Sequence, residues 1–369
     1  MTILITGGHL TPALALIDFI SQHQADDKII FVGRLYSQDR LQQLSQEKDE
    51  ISKRRLKFYN LAAPRWSDFL TIKGLISLPK LIRAVGQAKQ ILSRERPQVV
   101  VSFGGYLALP VVLAAAMLKI NIITHEQTRV AGTTNRLIGQ LAKKVGVAFP
   151  ETMKFFPAGK TQVVGMPLRL ELFEPARPPS WLTKPLDRPI LYITGGNQGS
   201  LFINQLIKNN LATLTEQFIL IHQCGNPIAT HNYEQQLLQA RDQLSAVQQT
   251  RYVVKTWLSQ PELAWIFQHA QAVVSRAGAN SIAEFASYQL PALLIPLPHS
   301  SHQEQQANAA WYEHHFSARI LDQATLTKES FLVNLRQLTR IKPDQVNLTK
   351  IRHQQEKVLI DLYNLLITV

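Results

Sequence analysis

The sequence is poor in two residue classes, cysteine and acidic side chains. Its 369 residues include one cysteine, Cys224, so a framework of disulfide bonds is excluded and folding in the reducing cytoplasm is expected. The 26 Asp and Glu residues are outnumbered by 39 Lys and Arg residues, which gives a formal net charge of +13. Such a surface favours a polyanionic partner, either nucleic acid or the acidic face of a membrane, and composition does not choose between them.

Long apolar runs are also missing. The longest candidate, residues 107–123, is interrupted by Pro110, Lys119 and Asn121, so no segment reaches the roughly 20 residues that a bilayer-spanning helix needs. The first apolar run leads directly into a glycine turn at Gly7, so no secretory signal is expected. With 46% hydrophobic and 18% charged residues, the chain is typical of a globular protein, and its length favours two domains.

Two kinds of motif are absent as well. No G-x-G-x-x-G fingerprint occurs, and no His or Cys pair stands at metal-ligand spacing, so we expect neither a dinucleotide cofactor nor a metal. The sequence does contain four glycine turns at predicted strand ends. They are Thr6-Gly7-Gly8-His9, Phe103-Gly104-Gly105-Tyr106, Gly195-Gly196-Asn197-Gln198-Gly199 and Ala277-Gly278-Ala279. A single turn of this kind is more often structural, but four of them favour a phosphate-lined cleft, because glycine allows close backbone approach to a diphosphate.

Short apolar strands, glycine or polar turns, and helices alternate along the chain, which is typical of a parallel sheet covered on both faces. The pattern runs through residues 1–165, with a last strand and turn predicted at 163–169, and stops in a Pro- and Arg-rich stretch within 166–189. It restarts through 190–346, and 347–369 is predicted to form one amphipathic helix. We predict an α/β protein in which two Rossmann-like domains, joined by the linker 166–189, face each other across a cleft.

The stretch from Arg276 to Glu284 is the predicted donor-binding centre. It follows a short β-branched strand, and the pattern turns helical after Gly278. A helix N-terminus presents backbone N–H groups to an anionic oxygen, and Glu284 lies in the first turns, where it can accept hydrogen bonds from hydroxyl groups of the same ligand. Recognition of phosphate and hydroxyl together indicates a nucleotide; an ordinary helix start with a solvated Glu is the alternative.

Two side chains of the first domain are candidate catalytic residues. His9 begins a helix, whose N-terminus disfavours the imidazolium and keeps the ring neutral and able to act as a base. A capping or core histidine is the alternative. Glu126, at the end of a predicted strand, either binds hydroxyl groups and orients a partner or buttresses its own loop.

The segment from Trp66 to Arg96 combines an apolar ridge with flanking cations, among them Lys80 and Arg83. Such a ridge can lie in a membrane interface, where each cation near an anionic leaflet contributes on the order of 1 kcal/mol. A core helix with a solvated basic face is the alternative. Neither an aromatic stacking platform nor a recognition helix is evident, so no nucleic-acid partner is expected.

Taken in order, these pieces resemble the MurG family, the UDP-N-acetylglucosamine:lipid I transferases of peptidoglycan synthesis. The matching stretches span most of the chain. They are Thr6 to His9 with Pro12 to Ala15, Phe103 to Tyr106, His125-Glu126-Gln127 with Ala131-Gly132 and Thr134-Asn135-Arg136, Gly165 to Arg169, Gly195-Gly196 with Gln198-Gly199, Arg276 to Glu284, and Gln305 with Asn308-Ala309.

The resemblance implies a GT-B fold with an acceptor-binding N-terminal half, a donor-binding C-terminal half and a final helix that returns to the first domain. It implies an inverting, metal-independent transfer of GlcNAc from UDP-GlcNAc to the MurNAc of undecaprenyl-diphosphate-linked MurNAc-peptide. It also implies a peripheral protein at the cytoplasmic face of an anionic cell membrane.

By position, the resemblance assigns roles to particular residues. Glu284 would hold the ribose hydroxyls, Leu258 would present its backbone to uracil, and Gln305 would reach the sugar hydroxyls. Arg169 and Asn197 would lie near the donor phosphates. The other expected donor contacts are Thr6, Gly7, Gly8, Thr128, Ala279, Asn280, Ser281, Ile282 and Ala283. The acceptor diphosphate is expected at Gly8, His9, Gly104 and Gly105, with His9 as the base and Glu126 as the second catalytic residue.

Three positions depart from the family pattern. The first glycine loop is shorter than the family's Gly-Gly-Thr-Gly-Gly-His, Thr128 stands where the family usually has Asn, and Asn197 replaces a usual Ser. Three rival functions stay open at this point. They are a related GT-B enzyme acting on another sugar or lipid, a UDP-sugar epimerase, and a non-catalytic nucleic-acid-binding protein that would explain the charge.

Overall fold

The computed structural model describes residues 1–38, 43–63, 74–183, 186–196, 198–226, 232–300, 303–344 and 346–368. The chain divides into two compact units. The first comprises Met1–Arg169 together with His353–Val369, and the second comprises Leu170–Arg352.

The first unit is built on a seven-stranded sheet whose neighbours all pair in parallel. The strands of this unit are β1 (Thr2–Thr6), β2 (Lys28–Gly33), β3 (Tyr36–Gln38), β4 (Gln43–Leu44), β5 (Lys57–Asn60), β6 (Val99–Ser102), β7 (Asn121–Glu126), β8 (Lys144–Val147) and β9 (Thr161–Val163). The sheet has the order β5-β2-β1-β6-β7-β8-β9, while β3 and β4 form a separate antiparallel pair.

Helices follow most strands of this sheet. They are α1 (Leu10–His23), α2 (Gln46–Lys53), α3 (Gly74–Glu95), α4 (Ala108–Met117) and α5 (Thr133–Leu141). Leu4 of β1 and Val100 of β6 share one buried cluster with Ala88 of α3 and Val112 of α4. Because helices pack against the sheet, its central strands are almost continuously apolar rather than alternating.

The second unit repeats this plan with six parallel strands. They are β10 (Ile190–Thr194), β11 (Ile219–Gln223), β12 (Tyr252–Lys255), β13 (Ala270–Ser275), β14 (Ala292–Leu294) and β15 (Ala318–Ile320), in the order β12-β11-β10-β13-β14-β15. The helices are α6 (Leu201–Asn209), α7 (Leu211–Gln217), α8 (Tyr233–Arg241), α9 (Ala246–Thr250), α10 (Gln260–His269), α11 (Ala279–Tyr288), α12 (Glu304–His315) and α13 (Lys328–Leu338). Ile193 of β10 packs in one cluster with Ile203 of α6 and Phe331 of α13.

The last helix, α14 (Leu348–Ile367), begins in the second unit and has most of its length in the first. Its residues Leu359 and Leu362 are fully buried. The Tyr363 hydroxyl donates to Asp27 Oδ2 at 2.8 Å, and Gln355 Oε1 accepts the Leu168 N–H at 3.2 Å. Apolar burial and these two hydrogen bonds attach the helix to the first unit.

The predicted α/β class, with two Rossmann-like domains, is confirmed by these two parallel sheets. The last strand and turn predicted at 163–169 are present but lie earlier than predicted, because β9 already ends at Val163. The N–H groups of Val164 and Gly165 both donate to Val147 O, at 2.9 and 3.2 Å, and Gly165 has φ +101°. Pairing with β8 therefore stops there, and the glycine turns the chain away.

The predicted membrane-interface segment is described only from Gly74 onward, as α3, and residues 64–73 lie outside the described part of the chain. Among the helices of the described part, none combines the length and the apolar character that crossing a membrane requires.

Two histidines are wholly buried in the sheets, His125 in β7 and His222 in β11. His125 Nε2 donates to the Gly165 carbonyl at 2.9 Å, so this nitrogen carries the proton of the neutral ring. His222 Nε2 lies 3.0 Å from Asn204 Oδ1, and its Nδ1 lies 2.8 Å from the Tyr252 hydroxyl. Burial lowers the pKa of His125 to about 4 and that of His222 to about 3.

We expect the protein to lose stability on mild acidification. Near and below the ordinary pKa of 6.5, the unfolded chain binds protons at these two rings that the folded chain does not. The contribution of these two neutral histidines to the free energy of unfolding is therefore fully present above pH 6.5. It is lost as the pH falls towards their lowered pKa values. Thermal unfolding followed by circular dichroism from about pH 7.5 to about pH 5 should show a falling Tm, with a shallower slope for His222→Gln. A flat Tm over this range would contradict the prediction.

Candidate functional site

Two glycine loops of the first unit touch each other at the carboxyl edge of its sheet. One loop follows β1 and the other follows β6. Gly8 has φ +143°, and a Cβ added there would lie 2.2 Å from the Gly104 carbonyl oxygen. A Cβ added at Gly105, whose φ is +81°, would lie 3.1 Å from the Gly8 Cα. A side chain at Gly8 would collide with backbone, so these glycines are required first of all by the contact between the loops.

The amides of these loops are largely engaged within the protein. The Gly7 N–H donates to Val32 O at 2.6 Å, and the Gly104 N–H donates to Ser102 Oγ at 3.1 Å. The buried carboxylate of Glu47, a residue that the sequence analysis did not single out, lies against this loop, and a Cβ added at Gly7 would be 2.9 Å from its Oε2. The structure brings Gly8, Gly104 and Gly105 together, as predicted for an acceptor site, while their role towards a diphosphate stays a prediction.

His9 is the N-cap residue of α1, but its ring makes no capping hydrogen bond. The side chain is half-buried. Burial lowers its pKa, and the negative charge of Glu126 opposes that shift. The resting ring is therefore neutral at physiological pH, which is the protonation state that a general base needs. The predicted identity of the base is compatible with this geometry and stays a prediction.

Glu126 ends β7 with a buried carboxylate that is only 2% exposed. Its Oε1 accepts the Thr128 N–H at 2.9 Å and the Thr128 hydroxyl at 2.7 Å, and its Oε2 accepts from Asn135 Nδ2 at 2.9 Å. These bonds join the strand end, the following loop and α5. Of the two roles considered for Glu126, buttressing the loop is the one this geometry displays, and Thr128 is directed towards the carboxylate.

Unsatisfied polar atoms mark the same edge. Thr6 Oγ1 and Gln127 Oε1 are buried without a hydrogen-bond partner, although Gln127 Nε2 donates to Phe103 O at 3.2 Å. Buried polar atoms are normally paired, so atoms of this kind beside a loop point to a ligand or to water. Asn135 also belongs to this edge. It was recognised only as part of a motif, and its link to Glu126 could not be read from sequence.

Arg169 belongs to the first unit, where its Nε donates to Asp18 Oδ2 at 3.2 Å. Arg54 binds the same carboxylate through Nε at 2.6 Å and Nη2 at 2.9 Å. Both guanidinium groups thus lie on α1, which carries Asp18. The expected position of Arg169 near donor phosphates is not tested by this arrangement.

In the second unit, a glycine loop after β10 repeats the contact seen in the first. Gly199, with φ +74°, has no room for a Cβ, which would lie 2.2 Å from the Cys224 carbonyl oxygen. The Gly196 N–H donates to Thr194 Oγ1 at 3.0 Å, and Ser200 caps α6 by accepting the Ile203 N–H at 3.4 Å. One of the first N–H groups of α6 therefore already has a hydrogen-bond acceptor within the protein. Asn197, expected beside the phosphates, lies outside the described residues.

The start of α11 is different, because its N-cap Gly278 has no side chain to accept the first amides. Residues Ala279, Asn280 and Ser281 form the first turn. Asn280 Oδ1 and, at the end of β13, Ser275 Oγ are buried without a partner. An uncapped helix N-terminus with unsatisfied polar atoms beside it suits an anionic ligand.

The other predicted residues of α11 differ in exposure. Ile282 is 3% exposed, so its side chain belongs to the core. Ala283 and Glu284 are half-buried. The Glu284 charge helps burial to raise the pKa of the Tyr192 phenol. Glu284 lies in the second turn of α11.

Arg276, the first residue of the predicted donor-binding stretch, is a structural organiser. Its Nε donates to Ser200 Oγ at 3.1 Å and its Nη1 to Ile295 O at 2.9 Å. Its Nη2 donates to Gln323 Oε1 at 2.7 Å. The buried guanidinium thereby ties together loops at the ends of four strands, which the sequence did not reveal because the partners lie far away in the chain.

Two further predicted contacts have defined local settings. Leu258 is fully buried and precedes Ser259, which forms a capping box with Glu262 at the start of α10. Gln305, in α12, accepts the Leu297 N–H through Oε1 at 3.0 Å. Over the described ranges, no three His, Cys, Asp or Glu side chains group closely enough to hold a metal ion.

Two Rossmann-like units with glycine loops at their sheet edges are the elements of the GT-B fold. The model of the glycosyltransferase family 28 N-terminal domain matches residues 3–147, and that of the family 28 C-terminal domain matches residues 190–362. The chain belongs to this family and, within it, to the UDP-N-acetylglucosamine–N-acetylmuramyl-(pentapeptide) pyrophosphoryl-undecaprenol N-acetylglucosamine transferases, the MurG family.

The relatives cover nearly the whole chain. The transferase of that name from Clostridium kluyveri is 32% identical over 358 residues, which are 94% of this chain and 94% of the relative. The one from Clostridium tetani is 30% identical over 338 residues, 90% of this chain and 87% of the relative. The crystal structure of Acinetobacter baumannii MurG has the same fold, with a TM-score of 0.64 and 24% identity over 100% of this chain and 99% of that one.

The GT-B fold is shared with other enzymes. The UDP-GlcNAc 2-epimerase from Methanocaldococcus jannaschii matches with a TM-score of 0.59 and 13% identity, over 99% of this chain and 100% of that one. At that identity the likeness concerns the fold alone. Family membership, and with it the class of glycosyltransferase, therefore rests on the sequence relatives, and the resemblance noted from the motifs is confirmed.

Proposed function

We propose that this chain transfers GlcNAc from UDP-GlcNAc to the MurNAc of undecaprenyl-diphosphate-linked MurNAc-peptide, with inversion at the anomeric carbon and without a metal. The observation that carries the proposal is the match, at 30–32% identity over about nine-tenths of the chain, to transferases whose names state this reaction. The uncapped start of α11 supports the donor part of the proposal.

The donor would be held by the second unit. The first N–H groups of α11, at Ala279 to Ser281, would donate hydrogen bonds to the diphosphate. Glu284 would accept hydrogen bonds from the ribose hydroxyls. Leu258 would meet uracil through its backbone, since its side chain is fully buried. Gln305 would approach the sugar with its side-chain amide. That amide is already oriented, because its Oε1 accepts the Leu297 N–H.

The reaction would be completed by the first unit. A MurNAc hydroxyl oxygen attacks C1 of the donor sugar as the bond from C1 to the diphosphate breaks, and UDP leaves with the electron pair. His9, neutral at rest because burial lowers its pKa, takes the hydroxyl proton. The resulting imidazolium would be stabilised by the negative charge of Glu126, whose carboxylate is held in place by Thr128 and Asn135.

We also propose that the chain binds the cytoplasmic face of an anionic membrane through α3. Leu78 and Ile82 are one turn apart on this helix and expose 52% and 64% of their surface. Lys80 and Arg83 are exposed beside them. Exposed apolar side chains flanked by cations suit an anionic interface. Co-sedimentation with vesicles containing anionic lipid, but not with purely zwitterionic vesicles, tests this binding.

The experiment that tests the proposed reaction uses purified protein, labelled UDP-GlcNAc and a lipid I analogue, with EDTA in one arm and Mg²⁺ in another. We expect a labelled disaccharide on the lipid in both arms. Product with Mg²⁺ alone would contradict the metal-independent part. Epimerised UDP-sugar without disaccharide would favour the epimerase, and transfer only from another sugar or to another acceptor would favour a related GT-B enzyme.

Glu284→Ala should weaken UDP binding by roughly 10- to 100-fold, because hydrogen bonds to a charged group contribute about 1.5–3 kcal/mol. Isothermal titration calorimetry measures this change. Glu313→Ala, at an exposed position on α12, is the matched control and should bind UDP as the unmodified protein does. Equal affinity for all three proteins would refute the ribose role.

His9→Ala should lower kcat by roughly 10²- to 10⁴-fold, the usual contribution of a general base. UDP affinity should stay nearly unchanged, because the donor site lies on α11. His23→Ala, at the other end of α1, is the control for loss of a histidine from the same helix. Steady-state kinetics with both substrates gives the answer, and full turnover in His9→Ala would remove this residue from the mechanism.

A further inference from the structure

We propose that Glu47 is a positioning residue for the first glycine loop. Its carboxylate packs against Gly7 and accepts the Arg34 N–H, and these contacts fix where the loop and the adjacent His9 lie. The inference rests on the proposed function for its kinetic consequence, whereas the hydrogen bond itself is a property of the folded first unit.

The carboxylate of Glu47 is almost wholly buried, with 6% of the residue exposed. Its Oε2 accepts the Arg34 N–H at 3.0 Å and lies against Gly7 of the first glycine loop. It thereby joins the residue after β2 to the loop after β1. Burial raises the pKa of Glu47, and the N–H and the positive charge of Arg34 act in the opposite direction. A buried carboxylate with a backbone donor is a fixed part of the structure rather than a solvated surface charge.

Glycines make the room for this carboxylate. A Cβ added at Gly7 would lie 2.9 Å from Glu47 Oε2, and one added at Gly33 would lie 2.7 Å from the same atom. The first of these glycines belongs to the motif that was assigned to phosphate binding. At Gly7 the absent side chain therefore admits a protein carboxylate.

Helix α2 delivers Glu47 in a defined position. Ser45 caps the helix by accepting the Lys48 N–H at 3.1 Å, and its hydroxyl donates to Arg34 O. At the other end, Arg54 donates through Nε to Asp18 Oδ1 at 2.6 Å, which ties α2 to α1. Since α1 begins at His9, both the loop and the helix that follow β1 are anchored by α2.

The arrangement also bears on where an acceptor diphosphate can bind. A diphosphate on the Gly8 amide would lie close to the Glu47 carboxylate, and the repulsion between like charges disfavours that position. The loop contains two glycines before His9, so it offers few other amides. On this proposal the loop orients the base and leaves the anion to other groups.

The test compares Glu47→Ala and Glu47→Gln with Glu50→Ala. Glu50 lies one turn further along α2, is equally buried and pairs with Arg54 and Lys53, and it makes no bond to the glycine loop. We expect Glu47→Ala to lower kcat by roughly 10- to 100-fold, as misplacement of a reacting group does, with the KM for the lipid acceptor unchanged. Glu47→Gln should keep most of the turnover, because its amide oxygen still accepts an N–H. Glu50→Ala should turn over normally.

Hydrogen exchange by mass spectrometry gives a second readout that needs no turnover. Peptides covering Gly7 to His9 should exchange faster in Glu47→Ala and at the original rate in Glu50→Ala. An acceptor KM that falls in Glu47→Ala and Glu47→Gln would overturn the proposal, since it would mean that the carboxylate obstructs a phosphate site. Normal turnover in Glu47→Ala, or an equal loss in Glu50→Ala, would also overturn it. An inactive unmodified protein would count against the proposed reaction, while the exchange data would still decide whether Glu47 holds the loop.

Discussion

The close approach of backbone to backbone at the sheet edges is the constraint on which the glycine loops of both units depend. In the first unit, Gly8 lies against the Gly104 carbonyl, and in the second, Gly199 lies against the Cys224 carbonyl. In both places a Cβ would be 2.2 Å from a carbonyl oxygen, and the glycine has a positive φ. Loops packed this closely restrict the residues that follow them, which are His9 in the first unit and Ser200 at the start of α6 in the second.

This packing changes how the glycine motifs are understood. The amides of Gly7, Gly104 and Gly196 are engaged by Val32, Ser102 and Thr194, so the loops serve the fold before any ligand. The start of α11 has no side-chain cap, and unsatisfied polar atoms lie beside it. The start of α11 is therefore better suited to an anionic ligand than the glycine loops whose amides are engaged.

Electrostatics in the first unit follows from burial. His9 is half-buried and neutral at rest. The carboxylate of the nearby Glu126 is held in place by hydrogen bonds from Thr128 and Asn135. A neutral base beside a fixed carboxylate is suited to accept a proton and to stabilise the cation that results. His125, on the same strand, is wholly buried and bound to the Gly165 carbonyl, so it serves the core instead.

The sequence by itself determined the α/β class, the two parallel-sheet units, the family, and the positions of His9, Glu126 and the α11 residues at strand or helix ends. These follow from local patterns, namely apolar strands, glycine turns and motifs in a fixed order. It misplaced the last strand of the first sheet, because pairing of β9 ends where Gly165 turns the chain. Only the tertiary structure decided that the Glu47 carboxylate accepts the Arg34 N–H beside Gly7 and that Arg276 binds the Ile295 carbonyl. Such bonds join residues far apart in the chain, and burial, which sets their strength and the pKa of each group, exists only once the chain has folded.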